Sequence, residues 1–177
     1  MTTYWTSPTT VVQYAQAEAE GKHIGWNIVS TRNPIVTVTP LLHISCQPKN
    51  DITMKTYFLN FSGYVFENLP ETVSGINLKL NMNRGGRIAD ETVQLTYQGK
   101  LIGNNLGLPV QDRHTLMSTL HPITTYGGDV AEWGIKGGVT LDMIQDPSFG
   151  VVLRFRSHPD WPHSTTPKIF STELQIY

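Results

Sequence analysis

The amino-acid sequence predicts an all-β protein, an antiparallel β-sandwich of jelly-roll type with at most one or two short helical turns. Two observations lead to this prediction. Short apolar stretches that alternate with polar residues recur along the 177 residues, separated by turn-forming residues, and this pattern is typical of half-buried antiparallel strands. Residues 105–125 form a long connection between strand pairs, which favours a chain that crosses between two sheets over a simple meander.

The composition narrows the class of protein. Only 15% of the residues are charged, whereas ordinary soluble proteins carry about a quarter. The surface must therefore be built largely from Thr, Asn, Ser and Gln, as in extracellular or particle-borne β proteins. Thirteen basic and fourteen acidic residues give a net charge of −1, which provides no basic surface for nucleic acid.

The sequence shows no hydrophobic stretch of the length that a membrane helix requires. No run approaches the roughly 20 apolar residues of a membrane span, and the first residues lack the basic and apolar regions of a signal peptide. We therefore predict no membrane insertion and synthesis in the cytoplasm of the host cell.

The chain divides into an N-terminal arm, residues 1–21, and one sandwich domain, residues 22–177. The arm begins with a polar segment interrupted by proline, and residues 11–20 fit either a helix or an edge strand. Both alternatives stay open. Three short β-rich runs follow, at residues 24–29, 35–39 and 41–46, and the prolines between them confine such strands to sheet edges or first positions.

Residues 75–105 form the centre of the pattern. Apolar and polar side chains alternate along residues 76–83 and again along residues 92–98, so each segment is a strand with one buried face. Residues 84–90 have the length and composition of a tight connection. The sequence therefore predicts that the two segments pair directly as a β-hairpin.

The C-terminal third continues the alternation. Residues 140–145 predict one helical turn that ends at Asp146-Pro147, and the next strand places an apolar side chain at every second position, at Phe149, Val151, Leu153 and Phe155. The terminal strand, residues 168–177, changes its apolar face around Thr172. Such a change predicts a β-bulge.

No motif in the sequence indicates catalysis or a metal site. Cys46 is the only cysteine, which excludes a disulfide within the chain and predicts an inert buried thiol. Asp90 and Glu91 are adjacent on a strand and point to opposite sides, so they cannot act on one substrate. Histidines with no recognised ligand spacing occur in two Pro-containing loops, at His114, His121, His158 and His163. We predict no cofactor and no bound metal.

Aromatic residues beside Asp, Gly and His are the best candidates for recognition. Such loops can hold a sugar, with a ring against its apolar face and polar groups on its hydroxyls, or can contact a neighbouring subunit. Subunit contacts are the favoured alternative, although Trp133-Gly134 also fits a ring packed in the core. The candidate contact residues are Tyr126, Asp129, Trp133, His158, Asp160, Trp161 and His163.

The order of landmarks along the chain resembles that of a known family. The landmarks are Trp26-Asn27, Asn33-Pro34, the segments at residues 57–66, 69–70, 73–80, 88–95 and 99–105, the pairs Gly127-Gly128 and Trp133-Gly134, the segment at residues 146–151, and Tyr177. This order resembles a β-sandwich domain of tailed-bacteriophage virion proteins, which occurs in tails, fibres, baseplates and appendages. The resemblance covers about residues 24–177. It implies a structural or adhesive role without catalysis.

We therefore expect a non-enzymatic component of a phage virion, located in the tail, baseplate or fibre system. Its expected partners are other virion proteins, in a homo-oligomer or a larger assembly, with the N-terminal arm docked onto a partner. A capsid decoration protein is the main alternative. A module that binds a carbohydrate or a receptor, such as a glycan of the host surface, is the alternative from another class, and a hydrolase comes third.

Overall fold

A computed structural model of the protein describes residues 2–14, 22–28, 36–37, 54–83, 88–107, 123–157 and 167–177. These residues form β-strands and one short helix. The strands are β1 Thr10–Tyr14, β2 Lys22–Ile24, β3 Asn27–Ile28, β4 Val36–Thr37, β5 Met54–Thr56, β6 Phe58–Ser62, β7 Gly75–Asn83, β8 Ile88–Tyr97, β9 Lys100–Ile102, β10 Ile123–Asp129, β11 Gly150–Ser157 and β12 Lys168–Ile176, and the helix is α1 Leu141–Gln145.

The strands build two sheets that pack as a sandwich, which confirms the predicted fold class. One sheet contains β1, β6, β11, β8 and β9, with β5 and β2 continuing it, and the other runs β10-β7-β12-β4-β3. All described pairings are antiparallel except that of β2 with β5. No helix in the described ranges is long and apolar enough to span a bilayer.

The pairing is nested in the way that defines a jelly roll. Of the strands from β4 onward, the first pairs with the last, β4 with β12. The pairs β6 with β11, β7 with β10, and β8 with β9 lie inside that pair in turn. The chain behaves as one long folded hairpin that is rolled up, so its connections repeatedly cross between the sheets. The predicted crossing after residue 105 is confirmed, because β9 and β10 lie in different sheets.

The core lies between the sheets and follows the predicted alternation. Every second side chain of β7 and β11 points inward and is almost completely buried, as are those of the inward positions on β12. These side chains are Ile76, Leu78, Leu80, Met82, Val151, Leu153, Phe155, Ile169, Leu174 and Ile176, and Phe149, directly before β11, is buried beside them. Tyr64, a buried tyrosine of this core, shares a hydrogen bond of 3.3 Å with Thr172, and its burial raises the pKa of Tyr64 well above the ordinary value.

The predicted hairpin between residues 75 and 105 is wrong. Strand β7 lies between β10 and β12, and β8 lies between β11 and β9, so the two strands belong to different sheets. Alternation determines which face of a strand is buried, but two such strands can either pair side by side or face each other across a core. The actual tight hairpin joins β8 and β9 through Gln98 (φ 51°) and Gly99 (φ 75°), as expected for a two-residue turn with both central residues at positive φ.

The structure gives clear outcomes for three further elements that the sequence predicted. The segment left open as helix or strand begins as an edge strand, because β1 pairs with β6. The helical turn is confirmed as α1, and Thr140 caps it by accepting a hydrogen bond from the Met143 amide. The terminal strand contains the predicted bulge, but the extra residue is Phe170 rather than Thr172. Residues 41–46, including Cys46, lie outside the described residues.

The first residues of the chain are part of the sandwich. Thr6 forms an isolated antiparallel bridge with Leu174 of β12, and β1 then joins the opposite sheet. The Gln13 side chain fixes this path, because its amide bonds both the backbone N–H and the carbonyl of Trp26, at 2.7 and 2.8 Å. Residues 2–14 of the predicted arm thus contact the sandwich through β1 and the Thr6 bridge. Docking of the arm, residues 1–21, onto a partner stays a prediction.

Candidate functional site

Trp133 is a core residue and not an exposed contact. Its indole is fully buried, and Nε1 donates a hydrogen bond of 2.9 Å to the Ile76 carbonyl. A Cβ atom on Gly127 (φ 83°) would lie 2.6 Å from that indole nitrogen, so only glycine allows the ring to reach β7. The packing interpretation of Trp133 fits the structure, and a direct ring contact with a sugar or a subunit does not.

The turn that carries Trp133 is held from the opposite sheet by the loop after β9. The Asn104 amide N–H donates to the Trp133 carbonyl at 2.6 Å, and its side chain donates to the Glu132 carbonyl at 3.0 Å. The next residue, Asn105, accepts a hydrogen bond from the Val93 amide at 2.8 Å. We call this arrangement the Trp133 end. Its Gly and Asn residues serve the turn geometry of the fold.

Tyr126 is buried as well, and it forms the polar contact between the sheets with Asp90. The Tyr126 hydroxyl donates a hydrogen bond of 2.8 Å to Asp90 Oδ2. Both side chains are buried, so Tyr126 is also unavailable for the predicted surface contact. The sequence gives no signal for this pair, because the two residues lie on strands of different sheets.

A β-bulge explains why Asp90 points inward. Thr92 pairs with Arg154 and Asp90 with Phe155, which leaves Glu91 as the extra residue of β8. The bulge turns Asp90 to the face of Phe155, whereas strict alternation would place it on the face of Thr92. Glu91 contacts Lys55 at 2.9 Å and Arg156 at 3.4 Å. The prediction that the two carboxylates do not converge is confirmed.

The other predicted contact residues differ in accessibility. Asp129 is exposed, and its carboxylate accepts a hydrogen bond of 2.9 Å from the Ala131 amide, so it shapes the turn while remaining open to a partner. The residues of the two His- and Pro-containing loops lie outside the described ranges. The loop residues that remain predicted contacts are His158, Asp160, Trp161 and His163, and the prediction of no bound metal at His114 and His121 stays a prediction.

The described residues contain an open depression but no group of side chains that could hold a metal ion. In that part of the chain, no three His, Cys, Asp or Glu side chains come together in a group that could hold a metal ion. An open depression of about 370 Å³ lies between residues 71–73 and the start of α1. Its charged groups are the carboxylates of Glu71 and Asp142, both exposed.

Two aromatic rings and a guanidinium stack on the side of the larger sheet that faces away from the other sheet, and the sequence did not predict this stack. The ring of Tyr14 stacks on Phe58 with centroids 5.0 Å apart, and the Arg154 guanidinium lies 4.3 Å from the Phe58 centroid. Partial burial raises the pKa of the Tyr14 hydroxyl, and the positive charge of Arg154 opposes that shift. The stack attaches β1 to the sheet, so it contributes to the fold and leaves Tyr14 partly exposed.

The outer face of the smaller sheet carries accessible side chains that suit recognition. Lys79 lies between Glu173, at 2.9 Å, and the ring of Trp5, at 4.5 Å from its centroid. Further along the same sheet, Ile123 (54% exposed) and Phe170 (43% exposed) are the exposed apolar side chains. We call this surface the outer face. The alternation of β7 indicates its polar residues, but no sequence signal connects Trp5 with Lys79.

Comparison with known proteins adds no identification. No protein-family model matches the chain, and no curated protein matches it.

Proposed function

We propose that the protein is a non-enzymatic structural component of a tailed-bacteriophage virion, in the tail, baseplate or fibre system, and that it acts through contacts between subunits. The observation that carries the proposal is the nested jelly-roll pairing of β4 to β12. Jelly rolls are recurrent in viral coat proteins and lectins, and this pairing spans most of the stretch whose landmarks resemble virion proteins.

The surface of the described residues supports an assembly role over catalysis. The outer face offers apolar side chains, Ile123 and Phe170, beside amide and hydroxyl groups. Because a fold alone does not determine function, this surface is the second support for the proposal. Few charges and exposed aromatic or aliphatic groups are common properties of surfaces that become buried between subunits.

Mass spectrometry of purified phage particles tests the proposal. Particles from cells that carry the gene are banded on a density gradient and separated into heads and tails. We expect the protein in the tail fraction at a fixed ratio to the other tail proteins. Recovery with heads instead would favour the capsid decoration alternative, and absence from particles despite expression would refute a virion role.

A glycan-binding measurement distinguishes a structural role from the carbohydrate-binding alternative. Burial of Tyr126 and Trp133 removes two of the candidate rings for a subunit or sugar contact, while Trp161 stays a candidate. If the protein is purely structural, a glycan array should show no saturable binding. Binding that is lost in Trp161→Ala, with Trp161→Phe as the matched control, would instead support the carbohydrate-binding alternative.

A further inference from the structure

The edge of β12 holds a short peptide, and that peptide is the beginning of the same chain. We define residues 2–6 as the N-terminal strap. Thr3 N–H donates to the Ile176 carbonyl at 2.8 Å, and Thr6 exchanges both backbone hydrogen bonds with Leu174, at 2.8 and 2.9 Å. The Ile176 amide also donates to the Thr3 hydroxyl at 2.8 Å. The strap therefore runs along the edge of β12 and pairs with it through an isolated bridge.

Among the described residues, the strap occupies a part of the β12 edge that no other strand covers. On its other side, β12 pairs with β7 along its length. On the strap side, β4 pairs only with Lys168 and Ile169, at the far end of β12. Without the strap, the backbone groups of Leu174 and Ile176 that face this side would lack their present partners. An unpaired sheet edge is a template for another strand.

The strap is separable from the strand that follows it. Thr9 is anchored on the opposite sheet, with its amide bonded to the Ser62 carbonyl at 3.1 Å and its hydroxyl to the Gly63 carbonyl at 2.9 Å. Only Ser7 and Pro8 connect this anchor to Thr6. This two-residue connection, in which Pro8 is buried and its φ restricted, is the hinge between two independently bonded elements.

The strap buries little of its own surface. The Tyr4 side chain is 78% exposed, and only Thr3 of the strap is buried. Its hydrogen bonds are opposed by the conformational entropy of ordering its residues, and both contributions are of similar size. We therefore expect the strap to open far more often than the sheet itself, as for other segments with few buried contacts.

We propose that the β12 edge is an interaction site for the strap of a second copy of this chain, so that neighbouring copies exchange straps. The site already binds this sequence, and a second copy supplies the same backbone donors and acceptors. Contacts within one chain and between chains are therefore equivalent, and the choice depends on the hinge and on local concentration. The inference rests on the proposed function, because packing in a particle provides that concentration.

The side chains give the site its specificity. Trp5 lies against Lys79, which is itself paired with Glu173 of β12, and the Gln175 side chain donates to the Thr3 carbonyl at 3.2 Å. A strap from another copy would form these contacts in the same register. An extended peptide without an aromatic ring at the position of Trp5 would form only the backbone part of the interaction.

Disulfide trapping between full chains tests the exchange. Residues 5 and 175 flank the Thr6–Leu174 pair on facing strands, and such cross-strand neighbours approach closely enough for a disulfide. A Trp5→Cys chain is mixed with a Gln175→Cys chain, each also carrying Cys46→Ser to remove the only native thiol. The substitutions remove the Trp5–Lys79 and Gln175–Thr3 contacts but keep the backbone hydrogen bonds of Thr3 and Thr6 and the Thr3 hydroxyl contact. A heterodimer yield above that of diffusive collision therefore reports docking of the strap of one chain on the other.

The control pair replaces Trp5→Cys by Val65→Cys, because Val65 is 72% exposed and lies outside the strap. At high protein concentration, we expect the Trp5→Cys and Gln175→Cys pair, the strap pair, to yield about tenfold more heterodimer than the control pair. Diffusive collision alone would give both pairs similar yields. A synthetic peptide of residues 2–9 should suppress the strap heterodimer, whereas the same peptide with Thr3→Pro and Thr6→Pro, which lacks both N–H donors, should not.

Equal yields from the two pairs, or a yield that the native peptide does not reduce, would overturn the exchange. This result would leave the virion role to be decided by the particle experiment, so the two proposals fail separately. Folding of each variant is checked by its thermal transition before mixing, and Tyr4→Cys provides a second strap position if Trp5→Cys does not fold.

Discussion

The Trp133 end and the N-terminal strap both present aromatic residues near sheet edges, yet the structure uses them in opposite ways. At the Trp133 end, the indole is fully buried and bonded to β7. In the strap, Tyr4 is largely exposed and Trp5 contacts a surface lysine. The Trp133 ring belongs to the core, because Gly127 has no side chain and lets the indole approach β7. The Tyr4 ring of the strap lies at the surface, where a partner can reach it.

Truncation of Trp133 should produce the largest loss of stability. Trp133→Ala removes a fully buried ring and leaves the Ile76 carbonyl without its donor, so we expect the free energy of unfolding to fall by about 3–5 kcal/mol. Urea denaturation followed by circular dichroism measures the change. Trp133→Phe keeps most of the ring and should lose much less; a change below about 1 kcal/mol in Trp133→Ala would contradict the burial of this side chain.

The contrast between these rings shows what the sequence could predict. Alternation along β7 and β11 determined the buried faces correctly, because one apolar side of a strand must be covered. It could not determine strand neighbours, so β7 and β8 were wrongly paired. It also could not separate a buried Trp133 from an exposed one, since that difference depends on whether Gly127 allows the ring to approach β7, a contact between distant strands.

The bulge at Glu91 allows the inner and outer carboxylates to be compared directly. Asp90→Ala would leave the buried Tyr126 hydroxyl without its carboxylate acceptor, and we expect a loss of about 1–3 kcal/mol in the free energy of unfolding. Glu91→Ala removes partly exposed ion pairs with Lys55 and Arg156 and should cost no more than about 1 kcal/mol.

Chemical denaturation of both variants at neutral pH checks the order of the two effects, and Asp90→Asn, which keeps an oxygen acceptor, should lie between them. An equal loss in both variants would contradict the inward position of Asp90. The bulge itself gave no clear sequence signal, because Asp90 and Glu91 both fit a polar strand end, and only the register of β8 on β11 shows which one enters the core.

The buried phenol of Tyr64 predicts a loss of stability in alkali. Burial raises the pKa of Tyr64 in the folded protein above that of the unfolded chain, which is about 10. Its contribution is complete below pH 10 and is lost as the pH rises from there towards the folded pKa, because the unfolded chain releases the proton first. The limiting slope is about 1.4 kcal/mol per pH unit. Denaturation between pH 9 and 11 should show the free energy of unfolding falling with a slope that steepens towards this limit, and the fall should be smaller in Tyr64→Phe.

Removal of the Trp5 ring should have the smallest effect on global stability and a clear effect on the strap. Trp5→Ala removes an exposed contact with Lys79, which contributes about 0.5–1 kcal/mol, so the free energy of unfolding should change by less than about 1 kcal/mol. Hydrogen exchange at the Thr6 amide should nevertheless become about fivefold faster, because the strap opens locally. The Val93 amide, bonded to Asn105 at the Trp133 end, is the matched control and should keep its rate. Equal acceleration at both amides would mean that the strap unfolds together with the sandwich. The distinction between the Trp133 end and the separable strap would then be lost.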